Sequence, residues 1–177
     1  MWKLIARNVL TRPVTERAPP VSQDALAELA AKVDKAAHAR LGRSLSIRQV
    51  DAGSCNGCEL EIHALNNPFY DIERFGIRFV ASPRHADVLL VTGPVTANMA
   101  EALKRTYDAT PDPKWVVATG DCARNGGIFA GSYAVVGGVD AVVPVDLHIG
   151  GCPPTPTQLL SGLLALLEHV ERGGQPA

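Results

Sequence analysis

Asp87-Val88-Leu89-Leu90-Val91-Thr92, closed by Gly93-Pro94, is the stretch that decides the fold. A near-continuous apolar run of this length, rich in β-branched residues and bounded by turn formers, reads as a strand buried on both faces. Lys114-Trp115-Val116-Val117-Ala118-Thr119 repeats the pattern. Further strands are predicted at Ser46 to Val50, Gly76-Ile77-Arg78-Phe79-Val80 and Ala141-Val142-Val143-Pro144-Val145. Pro144 has no N–H to give a ladder, so the last of these is expected at an edge or a strand end.

Helical patterns separate these runs. A short helix follows the first strand through Ala64, and Thr96 is placed to cap a helix reaching about Asp108. After Pro153-Pro154-Thr155-Pro156 the stripe Leu160, Leu163, Leu164, Leu167 marks a final helix facing the sheet. Strands alternating with helices predict an α/β class: a flavodoxin-like, doubly wound, mainly parallel sheet with helices on both faces. Upstream, residues 1–20 form an aperiodic arm containing Arg and Pro. Ser22 then opens a helix to about Leu41, stopped by Gly42, whose thin Leu26, Leu29, Ala30, Val33 stripe suggests a peripheral position. The division expected is an arm and helix over 1–44 and an α/β domain over 45–177.

Composition narrows the function. A chain of 177 residues with formal net charge −1 buries a core without staples and lacks the basic stripe of a nucleic-acid binder. The N-terminal apolar stretch is too short and too charged for a signal peptide. Leu159 to Val170 is broken by Ser161, Gly162, Glu168 and His169, short of the roughly 20 apolar residues that span a bilayer. A soluble chain in a reducing compartment is expected, where four cysteines serve as ligands or redox groups before disulfides.

Those cysteines are Cys55 and Cys58 in Ser54-Cys55-Asn56-Gly57-Cys58, Cys122 in Gly120-Asp121-Cys122, and Cys152 in Gly150-Gly151-Cys152-Pro153-Pro154. Cys55, Cys122 and Cys152 each come a few residues after a predicted strand, where a parallel sheet places its ligands. A thioredoxin-type pair would leave Cys122 and Cys152 unexplained. A zinc ribbon carries a second close pair, which is absent here. Four thiolates suit tetrahedral zinc or a cubane cluster, and the spacing favours the cluster.

The residues around the cysteines carry a resemblance. Ser54-Cys55-Asn56-Gly57-Cys58-Glu59-Leu60-Glu61, Tyr70 to Ile77, Ser82-Pro83-Arg84-His85-Ala86-Asp87 and on to Thr96, Gly120-Asp121-Cys122-Ala123, Gly126-Gly127 and Gly151-Cys152-Pro153-Pro154 resemble the small-subunit family shared by [NiFe]-hydrogenases and complex I. The similarity runs from about Leu45 to Leu167 and is nearest to the energy-converting hydrogenases, formate hydrogenlyase included. Two departures stand out. Complex I members usually begin with adjacent cysteines, whereas this chain has the two-residue gap of hydrogenases. The usual Pro-Gly-Cys-Pro-Pro becomes Gly150-Gly151-Cys152-Pro153-Pro154, with Thr155 and Thr157 where arginine and glutamate often stand.

The resemblance implies one [4Fe-4S] cluster held by Cys55, Cys58, Cys122 and Cys152, in an electron-transfer subunit of an oxidoreductase complex. It implies as partners a nickel-iron large subunit, a ferredoxin-like iron-sulfur subunit and membrane-arm subunits, on the cytoplasmic face of the inner membrane. A complex I-like module reducing quinone, and a zinc-stabilised assembly or binding module, are the alternatives. It also puts Arg84 near the cluster as a countercharge. The complex I pattern, with a glutamate three residues after its second cysteine, makes Glu61 the carboxylate expected to relay protons, with Glu59 second; the structural reading of both is a carboxylate favoured at a helix N-terminus. Gly57, Gly120, Gly126 and Gly127 are expected to let backbone amides approach the sulfurs. His63, His85 and His148 are read as packing or interface residues.

Overall fold

The computed structural model describes Trp2 and residues 23–171. The expected arm, apart from Trp2, and the Ser22 cap lie outside the described residues. Five strands form the main sheet: β1 (Ser46–Asp51), β2 (Arg78–Phe79), β3 (Val88–Thr92), β5 (Trp115–Thr119) and β7 (Leu147–Ile149). Their order is β2-β1-β3-β5-β7 and every pairing is parallel. Among the strands of that sheet this is the flavodoxin-like order, with its reversal between β1 and β3. Two short strands the sequence did not reveal, β4 (Val95–Thr96) and β6 (Val135–Gly137), pair antiparallel beside it.

The helices are α1 (Gln23–Leu41), α2 (Gly57–Ala64), α3 (Ala97–Ala109), α4 (Asp121–Asn125) and α5 (Pro156–Glu171). β3 and β5 are buried along their whole length because alternate residues serve opposite faces. Val88, Leu90, Trp115 and Val117 join Ile62 of α2 and Leu159, Leu160, Leu163 and Leu167 of α5 in one core. Leu89, Val91, Val116 and Ala118 meet Leu103 of α3 and Ala123 of α4 in the other.

Two expectations are corrected. The first helix is not peripheral: Leu26, Ala30, Val33 and Ala37 are buried, and α1 packs on α5 as part of the first core. Its alanines give a weak apolar signal yet let the two helices come close. The fifth sheet strand is Leu147–Ile149, not Ala141 to Val145. Val139–Ala141 is a 3-10 turn, and Val143 is apolar because it packs under the second core. Pairing with β5 is established only past Pro144, where Asp146 N–H donates to the Val116 carbonyl and its carboxylate accepts from Val116 N–H. Thr96 does precede α3, but its hydroxyl donates to the Ala52 carbonyl instead of capping the helix.

At the other end of the sheet, Asp87 is buried and receives a forked pair from Arg43 and the Ser46 N–H. That joins the end of α1 to the starts of β1 and β3.

Candidate metal centre

The carboxyl ends of β1, β5 and β7 converge, and each sends out a cysteine loop. After β1, the Asp51 carboxylate accepts from the N–H groups of Gly53 and Ser54, both at 2.7 Å, and Ser54 Oγ accepts from Asn56 N–H at 3.0 Å. Asn56 then takes a left-handed conformation ahead of α2, so Cys55 precedes that helix and Cys58 lies in its first turn. Close packing demands glycine at Gly93, where a Cβ would fall 2.5 Å from Ser54 N.

After β5, Gly120 N–H donates to the Ile149 carbonyl at 2.7 Å and α4 begins at once, carrying Cys122. Asp121 then ties this loop to the last one. Its N–H donates to the Gly151 carbonyl and its carboxylate accepts from Gly151 N–H, each at 2.9 Å. Cys152 is fixed beside Cys122 by that pair of bonds.

All four cysteines are free thiols. Together with Ser54, Gly57, Gly93, Asp121, Gly151 and Pro153 they line one cavity of about 150 Å³. Two of the glycines expected against the sulfurs are there: a Cβ on Gly120 would lie 2.7 Å from Cys58 Sγ, and one on Gly127 the same distance from Cys122 Sγ. A Cβ on Gly57 would stand 3.6 Å from Cys55 Sγ, an ordinary contact, while one on Gly126 would meet Ala130 instead.

Burial pushes the Cys58 thiol up to about 12, with the Glu59 carboxylate and the other three cysteines adding to it. Cys122 is raised too, first by burial and then by Cys152 and Cys55, while the Ile128 N–H pulls the other way by bonding its sulfur. Cys58 and Cys122 thus resist ionisation in the absence of a nearby cation. The donor set therefore fits a positively charged metal group. They surround a cavity instead of meeting at a point. Among the described residues, no group of three or more His, Cys, Asp or Glu could hold a single metal ion.

The remaining candidates divide. Glu59 is buried beside Cys58, and neither of its oxygens has a hydrogen-bond partner. Glu61, two residues on, is only half-buried. Arg84 does not join the cysteines: it sits in the 3-10 turn Pro83–His85 ahead of β3, at the strand starts, while the cysteines occupy the strand ends. His63, His85 and His148 are exposed, and none lines the cysteine cavity. Asp51 and Asp121 were missed, although an Asp two residues before a Gly is a recognisable turn signal in the first case. Leu60 on α2 and Ile128, Tyr133 and Val136 beyond α4 expose large apolar side chains, Tyr133 completely.

The fold and its four-thiol cavity define a doubly wound α/β domain with a cysteine centre at the carboxyl edge of its sheet. The chain belongs to the family described as NADH ubiquinone oxidoreductase, 20 Kd subunit, whose pattern matches residues 55–166, more than half of its length. Formate hydrogenlyase subunit 7 of Escherichia coli is 49% identical over 133 residues, covering 75% of this chain and 52% of that one. The chain thus spans about half the length of that relative. A probable membrane-bound hydrogenase subunit, mbhJ, of Pyrococcus furiosus is 48% identical over 132 residues, covering 75% of this chain and 79% of its own. Among solved structures, a chain of the membrane-bound sulfane sulfur reductase, an archaeal respiratory membrane complex, superposes with a TM-score of 0.68 at 36% identity. That match covers 83% of this chain and 79% of the other. No helix among the described residues is long and apolar enough to cross a membrane.

Proposed function

We propose that this chain is the electron-transfer small subunit of an energy-converting, membrane-bound hydrogenase, holding one [4Fe-4S] cluster on Cys55, Cys58, Cys122 and Cys152. The observation that carries this reading is the meeting of four free thiols, from three separated loops, around one cavity at the sheet's carboxyl edge. A cavity framed by four sulfurs suits a group of several iron atoms better than one tetrahedral zinc, whose sulfurs each stand about 2.3 Å from the same point. When bound, the cluster supplies a one-electron relay. The chain's own part is to supply thiolates, donate the Ile128 N–H to Cys122 and hold water away with the walls around Cys58.

The relatives named for hydrogenases, together with the two-residue gap between Cys55 and Cys58, support a nickel-iron large subunit as the partner that exchanges electrons with this site. Exposed Leu60 on α2, which carries Cys58, and Ile128, next in the chain after Gly127 against Cys122, give that partner apolar side chains to cover. An iron-sulfur donor subunit and membrane-arm subunits complete the proposed assembly, with this chain peripheral on its cytoplasmic side. The proton-relay role of Glu61, with Glu59 second, stays part of the proposal. Glu59 is the buried one of the two and follows Cys58 directly in the chain.

Low-temperature EPR on the anaerobically purified, reduced complex, with iron, nickel and zinc analysis of the same sample, tests the reading. A reduced cluster signal with nickel in a co-purified large subunit is expected, and Cys58→Ser should abolish the normal signal. Iron without nickel and a quinone-sensitive signal would move the chain to the quinone-reducing branch of the family. Zinc without iron, or an unaltered signal in Cys58→Ser, would overturn the assignment.

A further inference from the structure

A second cavity, of about 280 Å³, lies away from the cysteines along the outer edge of the sheet, lined by Arg48, Gln49, Ile62, His63, Asn66, Phe79, Val80 and Ala81. It exists because β2 is too short. β2 pairs with β1 only at Ser46 and Ile47, and the bond from Val80 N–H to the Ile47 carbonyl is the last on that edge among the described residues. β1 itself runs on to Asp51, so among the described residues its outer edge past Ile47 has no neighbouring strand.

The charges in this groove are one-sided. Arg48 Nε is buried and has no hydrogen-bond partner, and Arg48 forms no ion pair among the described residues. Arg43 is matched by Asp87, Arg105 by Glu101 and Arg78 by Ser46 Oγ, whereas Arg48 is distinguished by a buried Nε left without an acceptor. A guanidinium N–H withdrawn from water without an acceptor is costly, and native structures seldom leave one so. His63 adds a second ring nitrogen to the same wall, and among the described residues no carboxylate lines the cavity. An unpaired strand edge offers backbone groups to an extended segment, and a free arginine fork offers a bidentate seat for a carboxylate.

We propose that this groove receives an extended, acidic segment of a partner subunit, which adds to the open edge of β1 and sets a carboxylate on Arg48. The occupant is the complex's own protein, so the inference rests on the chain being a complex subunit, as argued above. It does not depend on what the cysteines bind. The site would thus be a second anchor of the assembly, separate from the exposed Leu60 and Ile128.

The test uses the complex co-expressed with its partners, in wild type, Arg48→Glu and Arg48→Lys. Partner retention is measured against salt, and hydrogen exchange of residues 48–51 is compared between the isolated chain and the complex. Wild-type assembly should slow exchange over 48–51. Arg48→Glu should weaken retention by about thirtyfold or more, as for loss of a desolvated charge pair, while Arg48→Lys keeps most of it. Arg48→Glu assembling like wild type, or unchanged exchange over 48–51 in the complex, would overturn the proposal. Loss of binding to phosphatidylglycerol vesicles, with protein partners retained, would instead assign Arg48 to a lipid surface and overturn it too. The iron content of the same samples separates the two readings, because zinc in place of iron removes the electron-transfer role without touching the groove.

Discussion

Gly120→Ala is the substitution for which the structure gives the most definite expectation. Gly120 has φ +88° and ψ 160°, a region open essentially only to glycine, so any side chain there costs about 1–3 kcal/mol in backbone strain. The added Cβ would also stand 2.7 Å from Cys58 Sγ, roughly 1 Å inside ordinary contact. Cys58 cannot retreat far, because it lies in the first turn of α2, whose Ile62 is packed in the core. Strain of about 2 kcal/mol corresponds to a fall in Tm of roughly 4–8 °C for a domain of this size. The sulfur must also shift by a distance that a rigid ligand set does not absorb. Gly131→Ala is the control: φ is +80° but nothing lies within 4 Å, so it carries backbone strain without the collision. Thermal unfolding and iron content of anaerobically prepared variants are the assay. Both should lose Tm, and only Gly120→Ala should also lose iron. Gly120→Ala with the iron content of wild type would refute the placement of Cys58 against that backbone.

Other expectations follow from the same geometry. In metal-free protein the folded state holds the Cys58 proton to about pH 12, above its ordinary value near 9, so native Cys58 binds more protons than unfolded Cys58 between these limits. Its contribution to stability is therefore complete below about pH 9 and lost as pH climbs towards 12. Urea titrations across that range should show the decline in wild type and a shallower one in Cys58→Ser. Asp121→Ala removes the acceptor for Gly151 N–H, costs about 1 kcal/mol and should lower iron retention by loosening the Cys152 loop, read by chelator challenge. Leu163→Ala, at a buried position of α5, should lower unfolding free energy by about 2–5 kcal/mol in denaturant titration.

The central strands were legible because β3 and β5 are buried on both faces and so read as unbroken apolar runs. The same signal misled at Ala141 to Val145, where apolar residues serve a core contact beside a 3-10 turn, while the true strand carries the exposed His148. β4 and β6 are too short for any alternation to show. The four cysteines were placed correctly around one cavity because the parallel-sheet rule brings strand ends together. Arg84 failed that same rule, since it precedes a strand. The different burial of Glu59 and Glu61 is a matter of helix face, and that much was readable in advance. Glu59 and Ile62 are three residues apart and share the inward side of α2, whereas Glu61 is turned about 100° from Ile62. The unpaired Arg48 had no sequence signal, because it arises from the length of β2, not from any residue near Arg48.

The bonds between Asp121 and Gly151 join loops that leave different strands, and the first cysteine loop comes from a third. Contacts between residues so far apart in the chain carry a large loop-closure entropy, which slows folding. During synthesis, Cys55 and Cys58 emerge early, yet the ring of four thiols closes only after β7 has docked on β5 near the carboxyl end. A truncated or stalled chain thus keeps an open ring. Completion of the ring therefore requires β1, β5 and β7 to be in place together, so an intact ring is a readout of long-range sheet assembly that no fragment ending before β7 can give.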